Sequence, residues 1–167
     1  MLATLLLGAT VAATATSDEK TNAELTFERF KAMEGTWTGA AEDGREITNI
    51  YEVIAGGSVV MQSSNFDAHP GEKMVTMFRL DLGRLILTHY CIAKNQPRLA
   101  ATEYAGDGRK VTFTFDSGTN LLNRNQGHMD KAEFKFLDDD TYSAKWIWYQ
   151  DGTETWMETF TLRRKKE

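Results

Sequence analysis

After Gly35 the chain breaks into a succession of short alternating runs, and that rhythm limits its folding more than any other feature. Each run is about eight to ten residues long and ends in turn chemistry. The closures are Glu42-Asp43-Gly44, Ala55-Gly56-Gly57, His69-Pro70-Gly71, Asp81-Leu82-Gly83, Asn95-Gln96-Pro97, Gly106-Asp107-Gly108, Asp138-Asp139-Asp140 and Asp151-Gly152. One connection is longer, the polar stretch from Asp116 to Gln126. Within a strand alternate side chains share a face, and Val111, Phe113 and Phe115 duly oppose Thr112 and Thr114. About ten antiparallel strands with hairpin-length links shed their exposed edges only by closing on themselves. The chain is therefore predicted to be all-β, a roughly ten-stranded antiparallel up-and-down barrel. Eight strands already leave room for a small ligand, so a wider barrel predicts an interior site.

A different pattern precedes the strands. Leu25, Phe27, Phe30 and Met33 recur at helical spacing among Glu24, Glu28, Arg29 and Lys31. This predicts a short helix packed on one end of the barrel, started by Asn22 or Thr26 and ended by Gly35. Further upstream, Leu2 to Val11 is apolar or small, Asp18 is the first charged side chain, and Ala13-Thr14-Ala15 fits a small-x-small cleavage site. The expected organisation is a signal peptide over residues 1–15, a leader and capping helix over 16–34, and a barrel over 35–164. That arrangement predicts a secreted or periplasmic protein. The early apolar run is too short to span a bilayer, and no later stretch qualifies. A net charge of −5 argues against nucleic acid, whose phosphates demand a basic field. The terminal Arg163-Arg164-Lys165-Lys166 reads as a solvated end.

The run from Leu85 to Arg98 carries the most chemistry. If the fifth strand spans 84–92, then Leu85, Leu87, His89 and Cys91 fall on one face. A histidine and the single cysteine thus follow two leucines inward. On the eighth strand His128, Asp130, Ala132, Phe134 and Phe136 share a face opposite Met129, Lys131, Glu133 and Lys135, which predicts an inward His128. Trp146 and Trp148 share a face of the ninth strand, and Glu158 shares one with Trp156, Phe160 and Leu162 on the tenth. Arg98 opens the sixth strand, whose inward side the pattern leaves open. The predicted lining is aromatic, with His89, His128, Glu158 and Arg98 as polar points and Cys91 beside them. The plainer alternatives are core histidines with satisfied hydrogen bonds, a packing cysteine, and a Glu158 paired with Arg98 or a lysine.

A helix followed by Gly35-Thr36-Trp37 and a β meander resembles the lipocalin-like (calycin) barrels, which include lipocalins, fatty-acid-binding proteins and nitrobindin-like haem barrels. The resemblance implies that Trp37 closes one end of the barrel. From about Phe27 to Leu162 the chain is also similar to a group of uncharacterised bacterial lipocalin-like proteins. The shared features are Gly-Thr-Trp, Gly56-Gly57-Ser58, Thr88-His89-Tyr90-Cys91 with Asn95-Gln96-Pro97-Arg98, and His128-Met129. This similarity implies the fold and little chemistry.

Four functions follow as expectations, the last being a purely structural or partner-binding barrel, which a fully packed interior would favour. The first is a binding protein for a small hydrophobic or amphipathic molecule with one polar or anionic group, which Arg98 would meet. The second is a small hydrolase or isomerase acting through Cys91 or His128, with a Cys91–His128 nucleophile pair as one version. The third, by analogy with nitrobindin-like barrels, is non-covalent haem ligation by His89 or His128, since no Cys-x-x-Cys-His attachment motif is present. No His-x-x-x-His or Cys-x-x-Cys spacing supports a zinc site. No motif specifies a cofactor or an oligomeric state.

Overall fold

The computed structural model describes residues 20–41, 43–67 and 69–166, with the side chains of Trp156 and Met157 left aside. The expected signal peptide over 1–15 and the first residues of the 16–34 leader lie outside these residues, as does the side chain of Trp156. One helix, α1 (Asn22–Ala32), precedes ten strands: β1 (Gly35–Ala41), β2 (Glu46–Ile54), β3 (Val59–Phe66), β4 (Lys73–Asp81), β5 (Arg84–Tyr90), β6 (Gln96–Ala105), β7 (Lys110–Thr119), β8 (His128–Asp138), β9 (Thr141–Gln150) and β10 (Thr153–Arg164). Each strand pairs antiparallel with its sequence neighbours, and β1 pairs with β10, so the sheet is a closed up-and-down barrel. No described helix is long and apolar enough to cross a membrane.

Closure depends on close backbone approach between the first and last strands. Gly39 lies opposite Leu162, and a Cβ there would sit 2.1 Å from the Thr161 carbonyl oxygen. No side chain fits in that space, so glycine lets the seam close.

The start of α1 differs from the expected caps. Thr21 is the N-cap: its Oγ1 accepts from the Glu24 N–H at 3.3 Å, and Glu24 Oε2 accepts from the Thr21 N–H at 2.8 Å. This reciprocal pair satisfies two donors that a helix start otherwise leaves open. The helix ends at Met33, and Gly35, with φ of 118°, begins β1. Its buried face, Ala23, Thr26, Phe27 and Phe30, plugs one end of the barrel. Phe30 is fully buried; it stacks on Phe78 with centroids 4.1 Å apart and meets Phe134 and Phe136 edge-on. Trp37 lies under the plug and donates Nε1–H to the Met33 carbonyl at 2.7 Å.

The last strand locks this end. Arg164 lies 4.3 Å over the Trp37 ring and donates to the Glu34 and Ala32 carbonyls at 2.8 Å each. It also pairs with Asp140 at 3.1 Å. Arg164 therefore caps the carbonyl end of α1, where a cation is favoured, instead of lying free in a solvated terminus.

The filled half of the barrel rests on Phe30. Phe30→Ala removes a wholly enclosed ring and should cost about 3–5 kcal/mol. Urea unfolding followed by circular dichroism checks this: the midpoint should fall at an unchanged m-value.

Candidate functional site

The aromatic plug fills only the α1 half of the barrel. The other half encloses a cavity of about 650 Å³, lined by the mouth-side ends of the strands. Its two walls differ in chemistry.

One wall is polar and arises from register. Tyr51 pairs with Gln62, Gln62 with Thr76, and Thr76 with His89. These four inward residues form a row across β2 to β5, just above the apolar row of Val60, Phe78 and Leu87. One step toward the mouth, Asn49 pairs with Ser64. Asn49, Gln62, Thr76 and His89 are all buried and all line the cavity. The facing wall is apolar, with Met129, Ala144, Trp146, Trp148, Phe160 and Leu162 from β8 to β10. Trp146 bridges the two walls, its ring 4.9 Å from the His89 imidazole.

The polar wall is incompletely paired. Asn49 Nδ2 donates to the Tyr142 hydroxyl at 2.7 Å, and the Tyr51 hydroxyl reaches the same oxygen at 3.0 Å. Burial raises both phenols above the ordinary tyrosine range, so both keep their protons. His89 Nδ1 is bonded to Thr76 Oγ1 at 2.9 Å. Three buried atoms then lack a protein partner: Asn49 Oδ1, Gln62 Oε1 and His89 Nε2. Buried polar atoms are normally paired, and leaving one unpaired costs free energy. Burial also lowers the His89 pKa to about 4, so the ring is neutral at neutral pH.

The sequence-predicted residues divide. His89, Cys91, Trp146, Trp148 and Glu158 line the cavity. Arg98 does not: it pairs with Asp81 at 2.8 Å and Asp116 at 3.3 Å. It sits opposite Thr88, on the face away from the inward Leu87–Leu99 pair. An anionic group in the cavity therefore loses the partner expected for it.

His128 is also displaced from the expected place. The register of β8 against β9 shifts between Met129 and Lys131. An inserted residue reverses the facing of the strand beyond it. Ala132 and Phe134 point into the core as expected, but across the bulge Met129 takes the cavity position. His128 instead fills the seam where β7 and β8 part, its ring 4.7 Å from Phe115 and 5.6 Å from Tyr149. Its Nδ1–H donates to the Gln126 carbonyl at 2.6 Å and its Nε2 accepts from Arg124, which also pairs with Asp130. Both ring nitrogens are occupied, which removes His128 as a base for Cys91 and as a haem ligand.

Cys91 lies just past the end of β5, which stops at Tyr90 and not at Ile92. The chain turns there through Lys94, with φ of 64°, held by the Lys94 N–H to the Cys91 carbonyl at 2.9 Å. Burial pushes the thiol pKa up, the opposite of what a thiolate nucleophile needs. Glu158 pairs with Arg45 at 2.7 Å, neither with Arg98 nor with a lysine. Burial raises its pKa against the opposing pull of Arg45.

The polar residues of β2 to β4 were the ones missed. Their signal lies in alternation: Ile47, Asn49, Tyr51 and Val53 share a face, as do Val60, Gln62, Ser64 and Phe66, and Met74, Thr76, Phe78 and Leu80. A polar residue recurs in each apolar stripe, and only strand register brings them together.

No family model and no curated protein matches the chain. Solved structures do. Rv2717c from M. tuberculosis aligns with a TM-score of 0.58 at 13% identity, over 84% of this chain and 98% of that one. A DUF3598-family protein of unknown function from Nostoc punctiforme aligns with a TM-score of 0.52 at 13% identity. The alignment covers 81% of this chain, which spans about half (49%) of that protein's length. At such identity the likeness establishes the barrel fold alone.

The lowered pKa of His89 has a consequence for stability. Its ordinary value is 6.5 and its folded value about 4. Between these the unfolded chain holds the extra proton, so stability rises with pH. The contribution is complete above pH 6.5 and is lost as pH falls toward 4, about 3 kcal/mol in all. Urea titrations across this window should show a smaller fall in His89→Leu than in the parent chain. An equal fall in both would place the proton uptake elsewhere.

Proposed function

We propose that this chain is a binding protein, a lipocalin-like barrel that holds a mainly apolar small molecule bearing one polar group. One observation carries the reading: a cavity of about 650 Å³ whose aromatic wall faces three buried polar atoms without protein partners. Apolar surface with a few convergent polar groups is the usual composition of a ligand site. A guest would bury its hydrocarbon against Trp146, Trp148 and Phe160 and give the orphaned atoms a partner. The composition of residues 1–15 supports export, so residence in the periplasm or outside the cell belongs to the same proposal.

A neutral solvatochromic dye tests the cavity directly. It should bind saturably and quench tryptophan fluorescence. Ser64 points into the hollow from β3, and Ser64→Phe should weaken dye binding at least about tenfold while the urea midpoint moves little. A parent protein that binds no hydrophobic probe would overturn the reading.

His89 favours a second reading, a non-covalent haem site. His89 would hold the haem iron through Nε2, which has no protein partner, while Thr76 at Nδ1 would orient the ring. A bound haem would supply redox and diatomic-gas chemistry. Its carboxylates would meet no lysine or arginine on the described wall, so this reading ranks second. Titration with haem decides it. A sharp Soret band lost in His89→Ala supports the site, and its absence in the parent protein removes it.

A further inference from the structure

The polar wall is selective, and its selectivity names a ligand class. Resting on the binding reading above, we infer that the guest is a neutral alcohol or phenol, bound hydroxyl-first against Gln62 and His89. Gln62 is 3% exposed and His89 4% exposed; both line the cavity, and each holds a buried polar atom without a protein partner. Both flank Thr76 in the same cross-strand row, one strand to either side of it.

The chemistry of a hydroxyl matches this pair. When the Thr76 hydroxyl donates to His89 Nδ1, the ring proton sits on Nε2. A guest hydroxyl then accepts from His89 Nε2–H and donates to Gln62 Oε1. One hydroxyl thus completes both, and Asn49 Oδ1 is a further acceptor nearby. A carboxylate has no proton to give. It would meet His89 favourably but set its charge against the amide oxygens in a site of low dielectric.

Two further observations exclude an anion. Among the described residues the wall carries no lysine or arginine, and Arg98 is on the other face of the sheet. The acidic group on the wall, Glu158, is paired with Arg45 at 2.7 Å, and the imidazole of His69, which also lines the cavity, is paired with Glu72 at 3.6 Å. An ammonium fares no better deep inside, because no carboxylate lies in the row of Tyr51, Gln62, Thr76 and His89. Neutral imidazole and carboxamide groups suit a neutral partner.

The test uses the whole protein and a ligand series of one chain length: 1-decanol, decanoate and decyl methyl ether, each displacing a neutral solvatochromic dye. Decanol should bind at least about tenfold tighter than decanoate and than the ether, which cannot donate. Gln62→Leu should abolish the preference for decanol over the ether, measured by direct calorimetric titration of each ligand. The same substitution removes a buried unpaired oxygen, so the ligand-free variant should melt no lower than the parent. Equal displacement by all three compounds, or a preference for decanoate, overturns the alcohol assignment and leaves the cavity reading intact. Binding of neither dye nor decanol overturns both.

Discussion

A closed ring of ten strands is too wide to be filled by its own side chains, and the rest of the molecule follows from that excess of space. Closure pairs both edges of every described strand, so none is left as a template for pairing with another chain. It also creates an interior that must be either packed or hollow. In this protein both solutions coexist. Below the row of Tyr51, Gln62, Thr76 and His89, phenylalanines from three strands (β4, β7 and β8) converge with Phe30 of α1 into a packed aromatic core. Above that row the barrel is hollow.

The boundary row is the most informative feature. Its residues are buried and polar, in positions where apolar side chains would pack with less cost. Thr76 and His89 satisfy each other in part, and Asn49 and the two tyrosines form a second cluster around the Tyr142 hydroxyl. What remains unpaired sits on side chains that line the hollow, so the polar cost is concentrated at the boundary between the packed half and the open one. The same burial that keeps His89 neutral also keeps Cys91 in its thiol form, the less nucleophilic state of that side chain.

Elsewhere, charged residues do structural work. Arg164 ties the last strand to the end of α1, and Arg45 neutralises Glu158 near the mouth. Arg124 knits the long loop to His128, Asp130 and Tyr149, closing the gap between β7 and β8. Surface ion pairs add little by themselves, but these hold elements that backbone pairing leaves apart.

Much of the fold was legible from local pattern. Strand number, turn positions, the leading helix and the closed antiparallel order depend on period-two alternation and on turn residues, which act within a few positions. The inward placement of His89, Trp146 and Trp148 follows from the same alternation. His128 and Arg98 show where that logic stops. One inserted residue near Asp130 reverses the facing of a strand, and a period carried straight through it gives the wrong side. Arg98 finds its carboxylates on β4 and β7, and no spacing along the chain reveals them. The polar row is likewise invisible until four strands adopt their register. The amino-acid sequence alone determined which segments alternate and where they turn, because those preferences are local. Tertiary structure decided which inward side chains meet, which half of the barrel stays hollow and which polar atoms are left facing it, because register and closure are properties of strands distant along the chain.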